Sequence, residues 1–211
     1  MQIVCVEKIN STHIFLCDQI RNKKIRKNFA IYALEQSSGI GSRANSWQSL
    51  RGNLHLSFCV KEKDLPNDLP LASVSIYFAY LLKEVLMENG SKIWLKWPND
   101  LYLQDKKAGG LMSAKISEFV VVSVGLNLKF APTNAILCDI DISLENLIKE
   151  FLQKLEKKIL WKQIFSKYML EFEKSREFKI HYENELLSLK DAILCEDGSV
   201  LVENKRVYSL R

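Results

Sequence analysis

The run "LASVSIYFAYLLKEVLM", residues 71–87, limits the fold more than any other stretch. It is the most apolar run of the chain, with Lys83 and Glu84 as its charged residues. It falls short of the ~20 apolar residues that a bilayer span needs, so it reads as a helix buried in a protein interior. Strand-like runs surround it in sequence. "QIVCVEKI" (2–9) looks like an opening strand, and "FAIYALEQ" (29–36) like a buried one. In "NLHLSFCV" (53–60), Leu54, Leu56 and Phe58 alternate with His55 and Ser57, which predicts a half-buried strand. "KIWLKW" (92–97) is a further strand. "DLYLQDKKAGGLMSAKI" (100–116) is a hairpin turning at Gln104, Asp105 and Lys106, and "EFVVVSVGLNL" (118–128) is a central strand. Between the first two strands, Ser11 or Thr12 can cap a helix whose apolar face is Ile14, Cys17 and Ile20. Residues 143–175 carry two more helices with charges of mixed sign, the mark of a solvated face. Helices interleaved with hairpins predict an α+β fold, a mixed β-sheet with helices packed on it. A short β-rich tail with a turn at Glu196, Asp197 and Gly198 follows.

Composition excludes several classes. At 211 residues with 47% hydrophobic and 26% charged, the chain can bury a full core. A net charge of +5 suits anionic small ligands or an acidic partner as well as nucleic acid. The basic run "RNKKIRKN" (21–28) reads first as a solvated helix end and loop, and second as a docking patch for an acidic partner. Five cysteines without a Cys-x-x-Cys pair argue against a disulfide framework or a zinc site. Buried thiols in a reducing cytoplasm are the expectation. The N-terminus has no signal-peptide layout, and no segment predicts a membrane span.

Three stretches carry unusual chemistry. "SSGIGSRANSWQSLRGN" (37–53) is longer than an ordinary connection and bears glycines. "KWPNDLYLQDKKAGG" (96–110) combines a stiff apolar entrance, a carboxylate, lysines and bare backbone. "VGLNL" (124–128) ends an apolar strand on a polar Asn127. Each alone has a plain structural explanation: a turn, an exposed hairpin lysine, a turn former.

In this order and spacing, with "STH" at 11–13, they resemble the biotin–protein ligases, also called biotin–[acetyl-CoA-carboxylase] ligases. The resemblance runs from about residue 11 to 127 and continues more weakly beyond. It implies a class II synthetase-like catalytic fold shared with lipoate ligases. It implies a two-step acyl transfer, with ATP and biotin as substrates and Mg²⁺ as the metal. Biotin becomes biotinoyl-5′-AMP, and a lysine of a biotin carboxyl carrier protein, that of acetyl-CoA carboxylase, then takes the acyl group.

Carried onto this sequence, the resemblance assigns Ser11, Thr12, His13 and Gln36 to the ureido pocket. His13 stands where the family usually has Asn. Gly39, Ile40, Gly41 and Ser42 would line the same pocket with backbone. Lys107 would be the cation shared by the biotin carboxylate and the α-phosphate, with Gly109 and Gly110 as bare backbone beside it. Arg43 would sit near the phosphates and Trp47 on the adenine. Lys96, Asn99 and Asn127 would complete the ATP site. Asp100 would hold Mg²⁺ or receive the proton of the incoming lysine. The catalytic set is thus Lys107, Arg43 and Asp100. Family loops carry several arginines where this one reads "GIGSRAN", with Arg43 alone. A weaker clamp on the intermediate is therefore expected.

The resemblance also sets domain expectations. Residues 1–180 form the catalytic domain and 181–211 a shortened SH3-like segment. With the motif beginning at Ser11, no DNA-binding domain and no DNA partner are expected. Oligomeric state is not legible. Two alternatives stay open: a lipoate–protein ligase-like acyl transferase, and a non-catalytic RNA- or carrier-binding module using residues 21–27.

Overall fold

The computed structural model describes residues 1–42, 45–183 and 185–209. Its centre is a seven-stranded sheet in the order β1-β2-β3-β7-β6-β5-β4. The strands are β1 (Gln2–Ile9), β2 (Phe29–Gln36), β3 (Leu54–Lys61), β4 (Trp94–Lys96), β5 (Asp100–Leu103), β6 (Lys106–Ile116) and β7 (Phe119–Leu126). β1 pairs with β2 in parallel, and every other neighbour is antiparallel. The parallel pair is joined by α1 (Thr12–Arg21), since parallel strands require a crossover. The Ser11 side chain caps α1 by accepting from the Ile14 N–H.

One face of the sheet is covered by the apolar helix, α2 (Val74–Glu88), together with α3 (Leu144–Glu156) and α4 (Trp161–Glu171). Leu54, Leu56, Phe58 and Val60 of β3 and Val120, Val122, Val124 and Leu126 of β7 point into this core. Phe58 meets Phe78 of α2 and Phe151 of α3 edge-on, with ring centroids 5.1 and 5.7 Å apart. On the other face α1 packs Leu16, Cys17 and Ile20 against Cys59, Phe119 and Val121. It covers only part of that face.

Four sequence expectations change. β3 is buried on both faces, not one, because α1 and its loop cover the side that carries His55 and Ser57. On α1, Ile14 is exposed and Leu16 takes its place in the core. The mixed charges of the late helices are not all solvated, as Lys154 is buried between Glu84 and Glu88. Cys17, Cys59 and Cys138 are buried, but Cys5 is exposed and Cys195 half-buried.

The C-terminal segment forms a hairpin, β8 (Lys179–Tyr182) with β9 (Glu185–Ser188). A three-stranded sheet of β10 (Ile193–Leu194), β11 (Val200–Val202) and β12 (Lys205–Val207) follows. Residue 180 lies inside β8. Trp97, wholly buried after β4, donates its indole N–H to the Gly198 carbonyl at 2.9 Å. Trp161 donates to the Glu196 carbonyl at 2.9 Å. Two tryptophans thus tie the turn at 196–198 to the main body, Trp97 to the end of β4 and Trp161 to the start of α4.

Candidate active site

Side chains alternate along each strand. The residues beside the core-facing ones therefore emerge on the opposite face. There Ser57 pairs across to Ser123, Ser123 to Met112, Gly125 to Gly110 and Gly110 to Asp100. Beyond the end of α1 these positions floor a cleft. Thr12, His13 and Gln36 stand at one end of it, and Asp100, Lys107 and Gly110 at the other. Ile40, Gly41, Ser42 and Trp47 of the loop between β2 and β3 cover it, and Ser11 completes the wall. The cleft is partly open to solvent, and the room beneath the loop is ≈ 50 Å³. That is small beside the several hundred Å³ of a typical ligand pocket.

The cation end holds an ion pair, Lys107 Nζ to Asp100 Oδ1 at 2.6 Å. Lys96 Nζ lies 3.8 Å from Asp100 Oδ2 and also rests over the Tyr102 and Phe178 rings. A side chain at Gly110 would put its Cβ 3.1 Å from Asp100 Oδ1 and 3.3 Å from Lys107 Nζ, so glycine keeps the room the pair occupies. The bulge between Leu101 and Tyr102 shifts the hairpin register here.

The opposite end is polar and internally bonded. Gln36 Oε1 accepts from the Thr12 main-chain N–H at 2.8 Å and from its hydroxyl at 3.0 Å. Ser57 bonds Thr12 and Ser123, and His13 Nδ1 lies 2.8 Å from Ser123 Oγ. Burial holds the His13 imidazole below its ordinary pKa, and the Arg21 charge adds to that.

Trp47 forms the lid over the middle. A Cβ at Gly125 would lie 2.4 Å from its ring, so the indole sits directly against bare backbone. Its N–H is buried without a hydrogen-bond partner among the described residues. The far end of the loop is anchored. Asn53 Oδ1 accepts from the N–H groups of Leu128, Lys129 and Phe130, all at 3.0 Å. His55 meets the Leu50 carbonyl at 3.2 Å.

Several expected residues lie off the cleft wall. Gly109 faces the core side of β6, where a Cβ would meet the Gly125 carbonyl at 2.6 Å, because successive Cβ positions on a strand point to opposite faces. Gly39 is hemmed in by Ser49 and the Trp47 carbonyl. Asn99 exchanges bonds with Leu111, its side chain donating to that carbonyl and its own carbonyl accepting the Leu111 N–H at 2.9 Å. Asn127 is buried and reaches the Ile136 carbonyl at 3.3 Å. Arg43 lies outside the described residues. Met112, Ser123 and Gly125 also line the cleft, and the sequence motifs assigned none of them to the site. The serine and glycine that interrupt the valine run of β7 were the available signal.

Residues 5–130 match the biotin/lipoate A/B protein ligase family. The chain belongs to that family. It is 33% identical over 127 residues to the bifunctional ligase/repressor BirA of Escherichia coli (strain K12), covering 57% of this chain and 38% of that one. It is 30% identical over 139 residues to the biotin–[acetyl-CoA-carboxylase] ligase of Mycobacterium tuberculosis, covering 62% of this chain and 51% of that one. The chain thus spans about half or less of these relatives' lengths. Among solved structures, the biotin acetyl coenzyme A carboxylase synthetase of Helicobacter pylori, with bound biotinylated ATP, superposes with a TM-score of 0.93. There the identity is 38%, over 98% of this chain and 99% of that one. No helix among the described residues is long and apolar enough to cross a membrane.

Proposed function

We propose that this chain is an ATP-dependent biotin–protein ligase. Biotin and ATP give biotinoyl-5′-AMP and diphosphate, and a lysine of a biotin carboxyl carrier protein, that of acetyl-CoA carboxylase, then takes the acyl group with release of AMP. The observation that carries the reading is the pairing of the two ends of one cleft. A hydrogen-bonding floor of Thr12, Gln36 and Ser123 suits a polar ring, and Lys107 with Asp100 at the other end suits a carboxylate meeting a phosphate. The H. pylori relative, similar over nearly its whole length, was solved with biotinylated ATP.

In the first step the biotin carboxylate attacks the α-phosphorus and diphosphate leaves. Two anions must approach, and Lys107 lowers that repulsion by exchanging Asp100 for the substrate oxygens. In the second step the carrier lysine attacks the acyl carbonyl and AMP leaves. Asp100, freed from Lys107, takes the amine proton. In this reading Trp47, which lies against Gly125, covers the adenylate and keeps water from it. Arg43 would join the phosphates from the loop.

The donor set fits Mg²⁺ in one limited way. Asp100 supplies a single carboxylate, and no group of three metal-ligating side chains exists among the described residues. Mg²⁺ is commonly held by one carboxylate with substrate phosphates, and when so bound it neutralises charge on the departing diphosphate. Residues 1–180 act as the catalytic part in this reading, with 181–211 as its β-rich support. The setting is the cytoplasm, where exposed Cys5 stays reduced. The test is mass spectrometry of a carrier domain incubated with the chain, ATP, Mg²⁺ and biotin. A mass gain of one biotinoyl group is expected. An unmodified carrier, where a known ligase modifies it, refutes the proposal.

A further inference from the structure

The hydrogen bonds on the cleft floor have a fixed direction. The Thr12 main-chain N–H donates to Gln36 Oε1 at 2.8 Å, which orients that amide. The Thr12 hydroxyl lies 3.0 Å from the same oxygen. An amide oxygen only accepts, so the Thr12 proton is committed there. Ser57 Oγ, 2.8 Å from Thr12 Oγ1, must donate to it. Ser57 Oγ is also 2.8 Å from Ser123 Oγ. Its one proton is taken, so Ser123 is the donor in that pair. Ser123 then meets His13 Nδ1 at 2.8 Å with no proton left to give. His13 therefore carries its proton on Nδ1. Its Nε2 is left as an acceptor, facing Cys17 Sγ at 3.5 Å. On the other side Gln36 Nε2 donates to Ser49, which donates to the Trp47 carbonyl, at 2.8 and 3.3 Å. One backbone N–H thus sets the proton positions from the lid to α1.

We infer that this one-way chain makes Ser123 a specificity-determining acceptor, with Ser57 and His13 as the positioning residues that turn its proton away from the ligand. A hydroxyl has one proton and two lone pairs. On Thr12 and Ser123 the proton and one lone pair are used internally, and both residues line the cleft. What each retains is a single lone pair, which accepts an N–H. The floor therefore selects a head group with N–H donors, such as a cyclic urea, over a ring without them, such as a dithiolane. Ser57 is wholly buried and off the cleft wall, so it acts only through its neighbours. The choice of biotin and lipoate as probes rests on the functional reading above, whereas the tautomer of His13 does not.

The first measurement needs no variant. Long-range ¹H–¹⁵N correlation on the labelled chain at neutral pH should show His13 protonated on Nδ1 and bare on Nε2. An Nε2–H tautomer overturns the inference. The second measurement is calorimetry with biotin and with lipoate on the wild type, Ser57→Ala and Cys59→Ala. Cys59 is buried on the same face of the same strand and controls for lost volume. Ser57→Ala should weaken biotin about tenfold, the loss of one or two net hydrogen bonds, and should mix the His13 tautomers. Cys59→Ala should do neither. Equal biotin affinity in the wild type and Ser57→Ala overturns the inference alone. A wild type that binds lipoate and not biotin overturns the functional reading and the selectivity with it.

Discussion

On β7, Val122 and Val124 lie in the core under α2, while Ser123 and Gly125, one residue along, face the cleft. β3 divides in the same way, with Leu56 and Phe58 against the helices and Ser57 towards α1 and the floor. The two faces of one sheet therefore share a backbone and little else. The helix face is held by apolar area and by interlocked aromatic rings. Beyond the small apolar patch under α1, the cleft face is held by directed hydrogen bonds, an ion pair and close approaches to glycine. Damage to the first should appear as lost stability, and damage to the second as lost chemistry on an intact fold.

The largest effect is expected on the helix face. Phe58→Ala leaves a void among Phe78 and Phe151 and should cost about 3–5 kcal/mol of unfolding free energy in urea. A cost below about 1 kcal/mol would mean that the ring cluster does not hold the two layers together. Next comes Lys107→Ala on the cleft face. Loss of a charge-assisted contact of roughly 1.5–3 kcal/mol predicts about ten- to hundredfold slower adenylate formation, with the urea midpoint unchanged. Transfer from pre-made biotinoyl-AMP should suffer less. Lys106 is exposed at the hairpin turn, and Lys106→Ala should be near neutral; equal damage from the two would show that the wrong lysine was chosen.

The same division explains what could be read from the sequence. Period-2 and helical patterns report burial, so the strands, the buried helix and the order of the late helices were legible. They do not report what covers a second face. His55 and Ser57 looked like solvent positions because polar residues alternate with apolar ones there, yet α1 and the loop bury both. Motif spacing brought Thr12, Gln36, Asp100 and Lys107 to one cleft. It could not tell Gly110, which faces Asp100, from Gly109, which faces the core. That distinction depends on cross-strand register. Ser123 and Gly125 were overlooked for the same reason, since their partners Met112 and Gly110 lie on another strand.

A smaller effect sharpens the comparison at Gly125. In Gly125→Ala the new methyl must displace the Trp47 ring, which a Cβ would approach to 2.4 Å. A surface loop can yield where a core cannot, so the stability cost should stay near the low end of overpacking, about 1 kcal/mol. Binding of biotin with ATP should weaken in the same variant. A cost like that of Phe58→Ala would place Trp47 in the structural core.

The smallest effect is the response to pH. Burial lowers the pKa of His13 and His55 below the ordinary 6.5. The unfolded chain then binds more protons than the folded one as pH falls below 6.5, so stability drops with acidification through that window and is flat above it. Thermal unfolding between pH 7.5 and pH 5.5 (chosen, roughly, to bracket the free imidazole) should show this. Replacing both histidines with Gln should flatten the slope, and an unchanged slope would assign it to other groups.

The central claim is that the cleft joins a biotin carboxylate to the α-phosphate of ATP. Exchange of labelled diphosphate into ATP reports that step alone, without any carrier. The account predicts exchange that requires biotin, is not supported by lipoate, and falls about ten- to hundredfold in Lys107→Ala. No biotin-dependent exchange in the wild type, or exchange driven equally by lipoate, would contradict it.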